Sequence, residues 1–267
     1  LKICLNSMSA CYDAHICLLW NTSMLPSLYQ QQGFLHLPGF YRPHELTALN
    51  PVLLKHHKAW LLQHQAAYQN GLINSHSLSA DPALAEQDKT VLFQTIAAPA
   101  LLAQLASIFP QAPRFLNTQL FFDPYHSDQR NYWHRDVQYT GLNEAAQRNV
   151  ILQQNVVHCR IAMRPELGIE LIAGSHQRWD SDQEYAVRMG KPPYRPHDDL
   201  PHTIRVPLQT GDVLLFSANM LHRGLYGQNR LAFDIIYCDD HPDLLAHRGD
   251  HTLPNAAQLA TLPEGLF

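Results

Sequence analysis

From residue 114 onward the chain is a succession of short segments rich in β-branched and aromatic residues, and that succession most limits what it can fold into. Residues 115–122, 155–162, 170–173, 203–208, 213–216 and 230–237 all read as strands, and Thr210-Gly211-Asp212 supplies a turn between two of them. Residues 25–110 read mainly helical. The exception is an alternating strand over 33–40, closed by Pro38 and Gly39. Residues 43–57 carry Leu46, Leu49, Leu53 and Leu54 at helical spacing. The stretch 81–109 repeats that pattern, with Asp81-Pro82 as its start and Pro110 as its stop. Helices gathered on the N-terminal side of many strands predict a mainly β fold, a double sheet braced by helices. Between Trp179 and His202 a polar, Pro-containing stretch reads as a long loop or lid. Arg178, Arg188, Lys191, Tyr194 and Arg195 give it a basic lean that reads first as a solvated, mobile face and otherwise as a surface for an anionic substrate.

The composition of 46% hydrophobic and 16% charged residues over 267 positions is enough for a sizeable core. A net charge of -4 gives no electrostatic reason to expect nucleic acid or an anionic membrane as partner. No apolar run approaches the roughly 18–20 residues that span a bilayer. The five cysteines are odd in number, lack a CxxC pair and crowd the first 17 residues, which supports neither a disulfide framework nor a zinc-thiolate site. The expected compartment is a reducing cytoplasm. Residues 1–23 read as a weakly packed extension ahead of a single domain over 24–267.

Two separated fragments carry the chemistry: Trp133-His134-Arg135-Asp136, and Leu221-His222-Arg223-Gly224 with Arg230 eight residues beyond His222. On an extended strand His134 and Asp136 face the same side, because side chains alternate. With His222 from a distant strand they form two nitrogens and one carboxylate oxygen, the set that non-haem Fe(II) oxygenases use with positions left open. Arg230 offers a fixed, two-pronged cation for a carboxylate. Any one of 17 histidines is weak evidence alone, and His56, His57, His64 and His76, without a strand-borne carboxylate beside them, read as structural.

From about Tyr29 to Tyr237 the chain resembles the phytanoyl-CoA dioxygenase family of Fe(II)/2-oxoglutarate oxygenases. The resemblance rests on Gly33-Phe34-Leu35 to Pro38-Gly39-Phe40, Trp133 to Asp136, Glu170 to His176, Gly211 to Phe216, His222 and Arg230. It implies a double-stranded β-helix, a jelly-roll barrel with iron at its mouth. It further implies that His134, Asp136 and His222 bind iron, and that Arg230 pairs with the distal carboxylate of 2-oxoglutarate. Gln119 aligns with a position that touches the cosubstrate, or else faces solvent from its strand. Ala173 replaces a proline of the family pattern, Gly224 stands where relatives often carry a hydroxyl, and Arg160 stands where they often carry Trp. Buried arginine is costly unless paired, so Arg160 reads either as a cosubstrate or acidic-substrate ligand or as a structural ion pair. His176 reads as a loop-fixing residue, and Tyr132 and Trp133 as packing or pocket residues.

The function so implied is an Fe(II)- and 2-oxoglutarate-dependent dioxygenase that uses O2 to hydroxylate a small molecule, releasing succinate and CO2. A carboxylate at Asp136 argues against halogenation and leaves desaturation or ring closure alongside hydroxylation. Three alternatives stand beside it: a metal hydrolase, since three protein ligands plus water suit zinc; a cupin-type isomerase; and a non-catalytic metal-binding relative.

Overall fold

The computed structural model describes residues 25–267, so the expected extension over 1–23 lies outside the described residues. Among the described residues nine strands form: β1 (Phe34–Leu37), β2 (Asn74–His76), β3 (Arg114–Phe122), β4 (Val156–Ala162), β5 (Glu166–Ile172), β6 (Thr203–Leu208), β7 (Val213–Ser217), β8 (His222–Gly224) and β9 (Leu231–Cys238). They pair antiparallel into a six-stranded sheet, β1-β7-β4-β9-β3-β2, and a three-stranded sheet, β6-β5-β8. The mainly β expectation holds. The expected jelly-roll barrel is not closed: among the described residues no strand pairing joins the two sheets edge to edge. They meet face to face instead, with Phe34, Ala162, Leu214 and Phe216 of the larger sheet packed on Ile169, Leu171, Val206 and Leu208 of the smaller.

Strand alternation divides the labour of the larger sheet. On β4, Val157, Cys159 and Ile161 join the main core against the helices, while His158, Arg160 and Ala162 point the other way. The helices on that outer face include α1 (Leu25–Gln32), α2 (Leu49–Gln63), α3 (Gln65–Gln69), α4 (Glu86–Ile96) and α5 (Pro99–Ile108). Leu53, Leu92, Ile96, Leu101 and Leu105 are fully buried there against Leu215, Phe233, Ile235 and Tyr237.

Several sequence expectations shift in detail. The single helix over 81–109 is two: Asp81 caps a turn by accepting from the Ala83 N–H, and α4 ends ahead of Pro99. Proline clashes with a helical residue before it, and Ala98 is accordingly out of helical range at φ -57, ψ 123. A helix that the sequence reading missed, α6 (Glu144–Gln153), starts where Asn143 accepts from the Ala146 N–H.

The stretch after Trp179 contains α7 (Asp182–Arg188), opened by a Ser181/Glu184 capping box. This segment is fastened down: the Trp133 N–H donates to Pro196 O at 2.9 Å, and Arg223 donates to His197 O at 2.8 Å. Arg188 is buried in an ion pair with Asp180 at 2.7 Å, and Arg178 pairs with Glu184 at 2.6 Å. The mobile basic face is thereby corrected for both residues. Short helices α8 (Pro242–Leu245) and α9 (Ala256–Leu259) complete the chain.

Gly211 is required by its turn. Its φ is +90°, and a Cβ there would lie 2.1 Å from Tyr41 O. Asp212 beside it accepts from the Gly39 and Gln209 N–H groups, tying the β6–β7 turn to the end of β1. His56 is structural, as expected. It joins Asp81 at 2.5 Å and Ser75 at 2.9 Å, an arrangement that copies a hydrolase triad. Ser75 is 1% exposed, so the set pins α2 to β2 and offers no nucleophile to a substrate.

Candidate metal and cosubstrate site

His134 and His222 face each other across an isolated antiparallel bridge, each N–H donating to the other's carbonyl at 2.9 and 3.0 Å. The expected strand through His134 to Asp136 is only that bridge plus one extended residue, Arg135 at φ -122, ψ 140; Asp136 then opens a 3-10 turn, Asp136–Tyr139. One extended residue suffices to put both side chains on the same side. Arg135 points the opposite way and is fully buried. Its guanidinium meets Asp180 at 2.7 Å, Ser175 O at 2.7 Å, and the carbonyls of Asn219 and Arg178. That cation bolts the short segment between the two site residues to two neighbouring loops, 175–180 and the one at Asn219, a role the sequence reading did not assign.

His134 Nε2 lies 3.6 Å and His222 Nε2 3.7 Å from Asp136 Oδ1, and the three donor atoms all fall within 4.8 Å of one another. These separations exceed hydrogen-bond length, so the groups do not satisfy each other. Each ring's other nitrogen is occupied: His134 Nδ1 lies 3.2 Å from Tyr132 O and His222 Nδ1 3.0 Å from Met220 O. A carbonyl accepts only from N–H, which places the proton on Nδ1 and leaves both Nε2 lone pairs aimed at one point. Burial, and then the neighbouring His134, lower His222 to about 3, so the ring is neutral and able to donate a lone pair. Burial opposes the charge of Asp136, but His158 first and then His222 and His134 hold its carboxyl well below the usual range.

His158, which sequence reading passed over, is the closest partner of Asp136. Its Nε2 lies 2.7 Å from Asp136 Oδ2 and its Nδ1 3.2 Å from Asp234 Oδ2. Burial alone would lower this ring, yet Asp136 and then Asp234 raise it to about 9. Asp234 stands across β9 from Arg160 and receives Arg160 Nε at 2.8 Å and Nη2 at 3.0 Å. Two of the three nitrogens of Arg160 are thereby committed to a buried ion pair, the structural half of its sequence reading. Its Nη1 has no hydrogen-bond partner and lies 4.0 Å from Glu166, whose acid burial raises.

Arg230 differs. Its Nη2 donates to Phe122 O at 2.8 Å and its Nη1 weakly to Leu225 O at 3.4 Å, while Nε is buried without a partner. Among the described residues no carboxylate lies within ion-pair distance of it. Burial and then the charge of Arg160 lower its pKa, against the weaker raising pull of Glu166, Tyr226 and Asp123. Gly224 makes room for this guanidinium, since a Cβ there would sit 3.0 Å from Arg230 Nη1.

A cavity of about 790 Å³ joins these groups. Strand register orders its wall. Gln119, Asp234 and Arg160 form one cross-strand row, with Phe121 and Arg230 beyond it. On the other side come Ile236 and His158, then Val156, with Val150 and Leu244 nearby on the lining. One end is thus cationic, the other mixes apolar side chains with Gln154, Asp243 and His247, and His134, Asp136 and His222 open onto the same space. Tyr132 lines the cavity and is exposed, whereas Trp133 is buried, donating to Asp198 O at 3.0 Å. His176 stays outside the set, packed near Tyr29 and over Gly33.

The family model for phytanoyl-CoA dioxygenase (PhyH) matches residues 29–230. The chain belongs to that family. Iron and 2-oxoglutarate are the family's metal and cosubstrate. No curated protein sequence matches the chain. Among solved structures, AviO1 from Streptomyces viridochromogenes Tue57 aligns at 17% identity and TM-score 0.55, covering 82% of this chain and 96% of that one. The epimerase SnoN, solved with Fe3+, alpha ketoglutarate and nogalamycin RO, aligns at 14% identity and TM-score 0.53, covering 82% and 83%. Iron-bound HygX from Streptomyces hygroscopicus aligns at 16% and 0.56, covering 80% and 85%. At these identities the likeness is one of fold.

Proposed function

We propose that this PhyH-family chain hydroxylates an unactivated C–H bond of a small molecule, with Fe(II) held by His134, Asp136 and His222 and with 2-oxoglutarate as cosubstrate. The observation that carries the reading is the convergence of two Nε2 lone pairs and one carboxylate oxygen, too far apart to bond each other, on a cavity that also holds an unpaired guanidinium. The donor set fits Fe(II), which accepts imidazole and carboxylate together. The unpartnered Nε of Arg230 fits the distal carboxylate of 2-oxoglutarate.

When bound, iron, 2-oxoglutarate and O2 supply the oxidising chemistry, with succinate and CO2 as co-products. The chain's own residues do the positioning. His134 and His222 stay neutral and oriented through their Nδ1 hydrogen bonds, Asp136 supplies the anionic oxygen, and Arg230 anchors the cosubstrate at the cationic end. Gln119 and the free Nη1 of Arg160 stand at that same end and add donors for it. The end at Val150, Val156, Ile236 and Leu244 receives the substrate. A volume near 790 Å³ falls within the roughly 300–1,000 Å³ of sites for drug-sized ligands. Asp136 fills the position that halogenases of this chemistry leave open, which favours hydroxylation. The two facing sheets support the finer fold reading as an unclosed double-stranded β-helix.

The test is anaerobic loading with Fe(II) and 2-oxoglutarate, then O2 and a panel of neutral, largely apolar metabolites. Succinate should form in proportion to hydroxylated product, and His134→Ala and Asp136→Ala should each abolish it. Full turnover in either variant, or product without succinate, refutes the reading.

A further inference from the structure

We infer that His158 is a positioning residue that restricts Asp136 to one metal-facing oxygen. The inference rests on the metal-site reading above and deepens it. The two oxygens of Asp136 do different work: Oδ1 faces His134 and His222 Nε2 at 3.6 and 3.7 Å, while Oδ2 is 2.7 Å from His158 Nε2. His158 itself has no freedom to leave. It is 4% exposed, its ring is stacked on Phe216 with centroids 4.9 Å apart, and its Nδ1 is held by Asp234. Asp234 is in turn gripped two-prongedly by Arg160. The chain from Arg160 through Asp234 and His158 to Asp136 thus fixes the carboxylate's rotation from behind.

The consequence is a count of positions. A carboxylate can take one or two coordination positions on a metal. With Oδ2 held by His158, two imidazoles and one oxygen would supply three ligands to a metal bound there. The remaining positions would stay free for cosubstrate and O2. A freely rotating Asp136 could take a fourth. The placement is specific to β4: residues 158 and 160 share its inward face, so one strand supplies both the contact to Asp136 and the cation behind it.

The experiment is a titration of the whole metal-free protein with Co(II), an oxygen-stable stand-in for Fe(II), read by calorimetry and by the visible Co(II) spectrum. Partners of metal ligands typically contribute about 10–100-fold in affinity. His158→Leu should lose affinity in that range and change the spectrum. His158→Gln, which keeps an N–H within reach of Oδ2, should recover to within about threefold of wild type and restore the spectrum. Unchanged affinity and spectrum in His158→Leu overturns the role, as does a Gln variant no better than Leu. If His158→Leu does not fold, His158→Asn decides in its place, because its shorter amide fills the space without reaching Oδ2: a tenfold loss supports the role and wild-type affinity overturns it. Wild-type protein that takes up no Co(II) refutes the metal site itself, an outcome distinct from failure of the positioning role.

Discussion

Removing Asp234 should be among the most damaging single changes in the molecule. Asp234 is 0% exposed and accepts from three donors: Arg160 at 2.8 and 3.0 Å and His158 at 3.2 Å. Asp234→Ala would take both hydrogen-bonded contacts from Arg160, 2% exposed, and leave it only Glu166, 4.0 Å from its Nη1, as a counter-charge beside the equally buried Arg230. Breaking a buried pair from one side costs about 3–5 kcal/mol. For a domain of this size that is a fall in Tm of roughly 6–20 °C. Replacing both partners is another matter, since an apolar pair of similar volume avoids the desolvation that both ions incur. Arg160→Met combined with Asp234→Leu should therefore lie within about 1–2 kcal/mol of wild type, the residue of the cost being the lost acceptor for His158. Urea denaturation of wild type, Arg160→Met, Asp234→Leu and the double variant gives the coupling directly. Additive single effects, or an Asp234→Ala cost below about 1 kcal/mol, would show that the pair is solvated and that the cavity floor is not as described.

Two further outcomes follow from the same coordinates. Arg230→Leu should weaken 2-oxoglutarate binding by about 100-fold or more, the scale for truncating one partner of a buried charged pair, while leaving Co(II) uptake without cosubstrate within about twofold; equal loss of both would assign Arg230 to the fold. His57, stacked on Phe122 with its Nε2 unpartnered, is lowered from 6.5 to about 4 by burial and then by His56 and Arg164. Below pH 6.5 the unfolded ring takes up a proton that the folded ring refuses, so its stability contribution is present above 6.5 and is lost as pH falls through 4. The loss is about 2 kcal/mol after allowing for partial exposure. His57→Phe should flatten that acid limb in urea midpoints measured between pH 4 and 7, and an unchanged slope would refute the assignment.

The sequence made the site's front visible and hid its back. His134, Asp136, His222 and Arg230 could be picked out because each stood beside a β-rich segment in a recognisable order, and the structure sets all four around one cavity. His158 and Asp234 went unread, although signals existed. Period-2 alternation puts His158 on the same face as the anomalous Arg160, and Asp234 is a lone charge in the otherwise apolar Leu231–Cys238. A buried arginine asks for a buried carboxylate, and that strand holds one. Arg135 was invisible for a different reason: its acceptors include three backbone carbonyls of two distant loops, which no residue pattern reveals. The helix over 81–109 misled because apolar periodicity continues smoothly past Pro99, where backbone geometry does not. The openness of the two sheets was not legible, because strand composition says which segments pair but not whether the sheets seal at their edges.

Crystals loaded without oxygen with Fe(II) and 2-oxoglutarate, mapped by the anomalous scattering of iron, test the account most directly. The expected result is one iron peak bounded by His134 Nε2, Asp136 Oδ1 and His222 Nε2, with the far carboxylate of the cosubstrate on Arg230. Iron bound elsewhere, or a cosubstrate carboxylate that ignores Arg230, would contradict it.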